Sequence, residues 1–189
     1  MSAAEKQALR ASMRAQRAGI SPEEQYRLSC LLCEIVVSWY VYQQAKTVML
    51  YAPVGRELDL MPLAQKGDKR FALPRMVGET QMEAALFCPG HQMVRGRYGF
   101  LAPVGPAVPL DEIDLILMPA LACGLDGFRL GYGKGCYDRF LAQNALHAQT
   151  GAVVYDSALF ETVAHDEMDV AAQFVITPTG VRGAGGGRL

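Results

Sequence analysis

Residues 114–141, DLILMPALACGLDGFRLGYGKGCYDRFL, decide the fold, because an apolar strand leads there through a glycine-rich turn into a helix. The lack of Cβ atoms at alternate positions of the turn lets an anion approach successive backbone N–H groups. These positions are Gly131, Gly133 and Gly135. A helix that begins near Gly135 directs unpaired N–H groups and its positive dipole end at the same place. The pattern predicts an anion site, to which Lys134 adds positive charge and Asp138 an oxygen ligand for a divalent cation.

The turn matches neither of the common nucleotide fingerprints. A P-loop reads G-x-x-x-x-G-K-[ST], and a dinucleotide fold has G-x-G-x-x-G soon after its first strand. Taken alone, G-x-G-x-G between a strand and a helix is also compatible with a tight turn that binds nothing. Arg129, Lys134 and Asp138 favour the anion site, because a simple turn needs neither two cations nor a carboxylate.

Short apolar runs alternate with helical segments along the chain. Strands are predicted at residues 47–54, 71–74, 82–88, 115–118, 152–155 and 174–177, and helices at 3–18, 22–42, 58–65 and 134–148. This alternation predicts an α/β fold, a three-layer α/β/α single domain with a mainly parallel sheet. We expect the domain to span residues 1–179, with loop and one short strand at 89–109 and a flexible, glycine-rich tail at 180–189.

Composition excludes several classes of function. The 189 residues are 51% hydrophobic with a formal net charge of −1, which argues against a general nucleic-acid or anionic-membrane binder. No apolar run approaches the ~20 residues that span a bilayer, and the first residues lack a signal-peptide pattern. We therefore expect a cytoplasmic protein with small-molecule partners, no nucleic acid and no membrane, and a monomer. Cys30 and Cys33 form a C-x-x-C without a second pair, which favours two thiols on one buried helix face over a zinc site.

Two further groups of charged residues carry hypotheses. Four cations share one face of the first predicted helix, where they form either a solvated stripe or a surface that closes over a polyanion; they are Lys6, Arg10, Arg14 and Arg17. Glu57 follows the predicted strand at 47–54, at the strand end where α/β sheets bind ligands. An ordinary acid at a helix start is the alternative for Glu57. Asp166 and Asp169 precede the last strand, and either could reach the same metal as Asp138.

Together these segments resemble the 5-formyltetrahydrofolate cyclo-ligase family. The resemblance covers nearly the whole chain, and its specific part is Arg129-Leu-Gly131-x-Gly133-x-Gly135-x-Tyr137-Asp138. The other matching segments are residues 6–10, residues 51–59 with Glu57-Leu58-Asp59, Leu73-Pro74, and Asp169 eight residues before Thr177-Pro178.

The resemblance implies an ATP- and Mg²⁺-dependent closure of 5-formyltetrahydrofolate to 5,10-methenyltetrahydrofolate, with release of ADP and phosphate. It assigns ATP to Lys6, Arg10, Arg129, Leu130, Gly131, Tyr132, Gly133, Lys134, Gly135, Cys136 and Tyr137. Catalytic roles fall on Arg129, Lys134 and Tyr137, and folate contacts on Ala52, Glu57 and Tyr137. Mg²⁺ falls to Asp138 and Asp169, with Asp169 preferred to Asp166 from its spacing to Thr177-Pro178.

The chain departs from the family pattern at two places. The family usually has an aromatic residue at the position of Cys136 and a Phe-Asp pair at Cys123-Gly124, and an aromatic wall suits a flat pterin ring. Two alternatives follow from these departures. One is a paralogue that acts on another N-formyl, amide or thiamine-related substrate, and the other is a nucleotide-binding module without catalysis.

Overall fold

The computed structural model describes residues 3–96, 99–143, 147–185 and 187–188. The strands in these ranges are β1 (Thr47–Met49), β2 (Arg70–Met76), β3 (Met82–Phe87), β4 (Met93–Arg95), β5 (Leu101–Pro103), β6 (Leu115–Pro119), β7 (Ala122–Gly124), β8 (Arg129–Leu130), β9 (Gln149–Val153), β10 (Leu159–Phe160), β11 (Phe174–Thr177), β12 (Gly180–Gly183) and β13 (Gly187–Arg188). The helices are α1 (Ala3–Ala18), α2 (Pro22–Ser38), α3 (Tyr40–Gln44) and α4 (Cys136–Leu141).

Eight strands form a central sheet in the order β13-β12-β11-β9-β6-β1-β2-β3. The five central strands, from β11 to β2, are parallel, whereas β3 at one edge and β12 and β13 at the other are antiparallel. A smaller sheet of β10, β7 and β8 carries the chain from the central sheet to the glycine loop. The predicted α/β class with a mainly parallel sheet is therefore confirmed.

The central sheet is buried on both faces, which is why its strands read as continuous apolar runs. In β6, Leu115 and Leu117 belong to one core, and Ile116 and Met118 to the other. The first core is covered by apolar side chains of α2 and α3, which include Leu32, Val36 and Tyr42. The second is covered by α1 and α4 through Met13 and Phe140. Helices on both faces of one sheet give the three predicted layers.

The helix boundaries follow from capping and packing. Ser21 caps α2 as its spacing to Glu24 predicts, since its side chain accepts a hydrogen bond from the Glu24 N–H at 3.1 Å. The helix predicted to run to residue 42 is interrupted at Trp39, whose backbone is extended (φ −74°, ψ 126°). There the Trp39 ring packs edge-on against Phe174 at 4.8 Å, so a tertiary contact accompanies the break between α2 and α3.

Three predicted elements are shorter or tighter than expected. The strand expected at 47–54 ends at Met49, where the chain enters the loop that carries Glu57. The helix expected at 58–65 is a 3₁₀ helix at Met61–Lys66. The helix expected at 134–148 is the six-residue α4, and residues 144–146 of that range lie outside the described residues. Two of these elements are shortened at their ends, and the third takes the tighter 3₁₀ form.

Two segments interpreted as irregular contain strands. Residues 89–109 carry the β4–β5 hairpin, where one short strand was expected. Residues 180–189 were expected to form a flexible tail, but β12 pairs with β11 along four residues and β13 pairs with β12. The turn after Thr177, rather than apolar surface of its own, orders this segment, because it returns the chain along the free edge of β11.

The C-x-x-C thiols do not share a buried face. Cys30 is exposed and Cys33 is half-buried, and burial raises the pKa of Cys33 to about 12. The interpretation as one buried pair is therefore wrong for Cys30. In the described ranges no helix is both long and apolar enough to cross a bilayer.

Candidate active site

The site lies where the strand order of the central sheet reverses. The chain leaves β1 toward β2 on one side, and β6 returns to the other side of β1. The carboxyl ends of parallel strands diverge at such a point and leave a crevice that commonly binds ligands. Glu57 follows β1 and Ala120 follows β6, and Arg17 of α1 contacts both. The predicted substrate acid is therefore at the switch point of the sheet.

Tyrosine hydroxyls and backbone groups fix the loop after β1. The Tyr51 hydroxyl donates to the Leu58 carbonyl at 2.6 Å, and the Tyr155 hydroxyl donates to the Arg56 carbonyl at 2.7 Å. The backbone N–H of Val54 donates to Glu57 Oε2 at 2.9 Å. Ala52, the other predicted folate contact in this segment, is half-buried at the start of the loop.

Glu57 is a buried carboxylate with several donors. Only 3% of the residue is exposed. Its Oε1 accepts from the Tyr132 hydroxyl at 2.9 Å and lies 3.5 Å from Arg17 Nη1. Burial raises the pKa of Glu57, and the hydrogen bonds from Val54 and Tyr132 and the charge of Arg17 oppose that rise. A buried carboxylate with these donors favours the interpretation of Glu57 as a ligand-binding acid over that of an ordinary acid at a helix start.

The glycine loop connects β8 to α4. Gly133 (φ 89°) and Gly135 (φ 58°) occupy the left-handed region, where an L side chain is strained. Gly131 has no positive φ, and a Cβ there would meet no atom within 4 Å. Gly131 faces open space, so backbone strain does not require a glycine at this position. The exposed loop residues include Tyr132 and Lys134.

The basic face of α1 packs against this loop instead of forming a solvated stripe. Arg10 Nε donates to the Gly131 carbonyl at 3.1 Å. The Arg14 guanidinium lies 5.2 Å from the centre of the Tyr132 ring, within the range of a cation–π contact. Arg17 donates to the Tyr132 hydroxyl at 3.3 Å. Three successive turns of α1 therefore contact two residues of the loop.

The first turn of α1 reaches the segment before β11. Lys6 Nζ donates to Asp166 at 2.9 Å and to Asp169 at 2.8 Å. Burial disfavours the ammonium, but the hydrogen bonds to Asp169 and Asp166 outweigh it and raise the pKa of Lys6. The His165 ring stacks on Phe128 at 3.6 Å and helps to fix this segment beside β8. Both acids predicted as alternatives lie at the site, paired with the same lysine.

Asp138 is oriented by the same segment. Its Oδ1 accepts from Arg129 Nη2 at 2.7 Å and from the Val170 N–H at 3.3 Å, and Arg129 Nη1 donates to the Val170 carbonyl. Asp169 directly precedes Val170, so the segment that orients Asp138 also carries the second predicted metal ligand. Only 4% of the Arg129 side chain is exposed. In this arrangement Arg129 acts through Asp138 and does not itself lie open to phosphate.

Tyr137 brings an unpaired hydroxyl to the site. Its oxygen is buried and has no hydrogen-bond partner among the residues that the structure describes, a costly arrangement for a polar atom. Burial, followed by the nearby charge of Glu57, raises the pKa of this phenol well above its ordinary value. A neutral donor without an acceptor fits a position that a bound ligand completes.

The departures from the family pattern differ in their surroundings. Cys123 is fully buried in the sheet core, so its size concerns packing rather than an open pocket. A Cβ on Gly124 would lie 2.2 Å from Asp126 Oδ1, which fills the space beside it. Cys136 is half-buried in the first turn of α4. Only Cys136 therefore remains next to the loop as a side chain that an aromatic residue could extend.

Sequence reasoning missed some of these contacts. Arg17 was recognised only as a member of the basic face, although its spacing from Arg10 and Arg14 already placed it on the same side of α1. The carbonyl of Ala120 and the backbone of Val170 carry no sequence signal, because any residue supplies these groups. Within the described ranges, no three His, Cys, Asp or Glu side chains are grouped to hold a metal ion.

An α/β sheet with charged residues and a glycine loop at its switch point is typical of α/β proteins that bind a charged small molecule. The model of the 5-formyltetrahydrofolate cyclo-ligase family matches residues 2–178. The chain belongs to this family, which is a family of ligases.

Curated relatives and a solved structure agree with this assignment. The chain is 36% identical to a 5-formyltetrahydrofolate cyclo-ligase of Mycolicibacterium smegmatis, over 70% of this chain and 74% of the relative. It is 29% identical to the protein of the same name from Escherichia coli K12, over 89% and 98%. The NMR structure of Aquifex aeolicus 5,10-methenyltetrahydrofolate synthetase superposes with a TM-score of 0.84 at 31% identity, over 97% and 95%.

Proposed function

We propose that this protein catalyses the ATP- and Mg²⁺-dependent cyclisation of 5-formyltetrahydrofolate to 5,10-methenyltetrahydrofolate, with release of ADP and phosphate. Family membership supports the reaction, since the relatives carry the name of this cyclo-ligase. One observation of the structure supports it most. The glycine loop and the basic face of α1 meet beside Glu57, so a polyanion and a second substrate would lie next to each other.

The chemistry requires two adjacent substrates. An N-formyl oxygen is a poor leaving group, so the proposed first step transfers the γ-phosphoryl group of ATP to that oxygen and releases ADP. The folate N10 then attacks the activated formyl carbon and loses its proton. The C–O bond breaks and phosphate departs as the N5–C–N10 bridge becomes conjugated. No enzyme nucleophile is needed, and catalysis consists of positioning and of neutralising charge on the moving phosphoryl group.

The residues divide between the two substrates. Lys6, Arg10 and the loop from Leu130 to Tyr137 would bind ATP, with Lys134 neutralising phosphate charge. Ala52, Glu57 and the Tyr137 hydroxyl would contact the folate. Arg129 would support the reaction by orienting Asp138, as its contacts with Asp138 and Val170 indicate.

Magnesium fits the donors at the loop. Mg²⁺ usually keeps several waters and takes one or two carboxylates together with substrate phosphates. Asp138 accepts from the Val170 N–H and Asp169 directly precedes Val170, so these two carboxylates would hold the ion once Asp169 releases Lys6. The ion would supply neutralising charge for the phosphate oxygens.

A single assay tests this function. Purified protein is mixed with Mg²⁺, ATP and 5-formyltetrahydrofolate, and the near-ultraviolet absorbance of the methenyl product is followed together with phosphate release. We expect both signals to rise in equal amounts and to need all three components. Phosphate release without the chromophore, or only with another N-formyl or amide substrate, would contradict the folate assignment. If neither methenyl product nor free phosphate forms, the result would indicate a nucleotide-binding module without catalysis.

A further inference from the structure

Arg17 is the least explained charge in the molecule. It lies in the last turn of α1 and is only 8% exposed, although arginine is rarely so buried without a specific partner. Its guanidinium reaches three groups from three segments: the Glu57 carboxylate after β1, the Ala120 carbonyl after β6 and the Tyr132 hydroxyl in the glycine loop.

Fold stability alone does not account for this arrangement. A buried ion pair costs desolvation, and well-packed apolar residues in its place are often as stable or more stable. The partners of Arg17 are also not parts of one element whose structure it completes. They belong to the segments that follow the two strands at the switch point and to the loop between β8 and α4. The guanidinium therefore sets the distances among the groups that form the site.

The planar shape of the guanidinium matters for this task. Its Nη1 serves Glu57 and Tyr132, while Nη2 serves the Ala120 carbonyl. The ammonium of lysine is a point charge on a flexible stem, so it cannot hold a carboxylate and a carbonyl in one fixed plane. The Ala120 bond anchors the guanidinium to the sheet, and the anchored guanidinium then orients Glu57.

We propose that Arg17 is a positioning residue for the cyclisation, which fixes the Glu57 carboxylate as an acceptor for the folate and ties it, through Tyr132, to the phosphate-facing loop. This inference rests on the proposed function and adds to it the residue that joins the two substrate regions.

The charges around Glu57 make the role measurable. Burial raises the pKa of Glu57, and Arg17 is the cation that opposes this rise. The other groups that face Glu57 are Tyr132 from the loop, Tyr51 after β1, Tyr137 of α4 and Tyr155 after β9, all phenols whose pKa is raised. Without Arg17, the pKa of Glu57 would rise further, and the carboxyl would lose its charge at a higher pH than in the wild type.

The experiment compares Arg17→Met and Arg17→Lys with Arg27→Met between pH 6.5 and 9, in the assay that follows methenyl absorbance and phosphate release. Arg27 is a matched control, because its ion pair with Glu24 on α2 is exposed to solvent and, in the described part of the chain, its hydrogen bonds go to Glu24 and not to Glu57, Ala120 or Tyr132. For Arg17→Met we expect a KM for folate raised about 10- to 100-fold, with an increase that becomes smaller as the pH rises. The KM for ATP should change less than threefold, because Arg10 still holds the loop. Arg17→Lys should fall between wild type and Arg17→Met.

A double variant separates positioning from folding. Arg17→Met with Glu57→Gln leaves no unpaired buried charge, so we expect it to fold even if Arg17→Met does not. Its KM for folate should stay high and lose the pH dependence. A folate KM of Arg17→Met equal to that of Arg27→Met would overturn the positioning role, and so would a folate KM of the double variant above that of Glu57→Gln alone, because Arg17 is proposed to act through Glu57. So would a loss of activity that only follows the unfolded fraction measured by circular dichroism. A wild-type protein that forms no methenyl product would instead overturn the proposed function itself.

Discussion

The two helical layers of this protein are held to the sheet by different forces. On one face, α2 and α3 bury apolar side chains such as Leu32 and Val36, which are fully inaccessible to water. On the other face, α1 buries little apolar surface beyond Met13 and docks mainly through Lys6, Arg10 and Arg17. A charged ligand cannot replace the apolar contacts between α2 and the sheet. It can replace the polar contacts between α1 and the sheet by binding to the same charged groups. The difference favours a fold-maintaining role for the α2 face and supports the proposed site on the α1 face.

The largest expected effect is on the stability of the α2 face. Leu32→Ala removes a fully buried side chain of α2 and should lower the free energy of unfolding by about 2–5 kcal/mol. At temperatures where the variant is folded, its kcat should match the wild type. Urea denaturation and the assay of methenyl absorbance and phosphate release measure the two quantities. Leu31→Ala is the matched control, because Leu31 is the neighbour of Leu32 in the sequence and is 37% exposed. Equal losses in both variants would contradict the assignment of the core.

On the face of the sheet that α1 and α4 cover, we expect a loss of turnover with little loss of stability. Asp138→Asn keeps the shape that accepts from Arg129 but removes the charge, so turnover should fall about 100- to 1,000-fold. The melting temperature should change by only a few degrees. Asp111→Asn, at an exposed position before β6, provides the control. A variant at Asp138 with wild-type turnover would remove Asp138 from the site.

A smaller effect is expected from the first turn of α4. Cys136→Tyr restores the aromatic residue common in the family beside the loop, and one aromatic contact contributes about 1 kcal/mol. We therefore expect the KM for folate to fall about fivefold and the KM for ATP to stay the same. Cys88→Tyr, at an exposed position after β3, is the comparison. An unchanged folate KM would show that Cys136 does not face the pterin.

The smallest effect concerns pH at the first turn of α1. The pKa of Lys6 is raised above 10.5 and that of Asp166 is lowered below 3.8. The stability that Lys6 contributes is complete below about pH 10.5 and is lost as the pH rises through its pKa in the folded protein. The stability that Asp166 contributes is complete above about pH 3.8 and is lost as the pH falls through its pKa in the folded protein. The stability difference between wild type and Lys6→Met should thus be constant from pH 5 to 9. A slope in that window, measured by urea denaturation, would show that another group controls the contact.

How far the sequence predicted this protein depended on the range of the interactions. Ser21 predicted the start of α2, and the apolar runs predicted the central strands, because capping and alternation are local. The interruption at Trp39 was missed because it accompanies a contact with Phe174, 135 positions further along the chain. The strands at 180–183 and 187–188 were missed because they contain little apolar surface and pair along an existing edge. In the candidate site, the sequence led to hypotheses for the glycines, Lys134, Asp138 and Glu57, which stay predictions, but it suggested no separate role for Arg17.

The sequence by itself determined the α/β layering, the family and the glycine loop, since each is written in local periodicity or in a motif of adjacent residues. The tertiary structure decided which of the charges meet. It paired Lys6 with both Asp166 and Asp169, turned Arg129 toward Asp138, and placed Arg17 between Glu57, Ala120 and Tyr132. These pairings depend on where distant segments cross the end of the sheet. A charge in a sequence shows what it can bind, and only the fold shows which partner lies within reach.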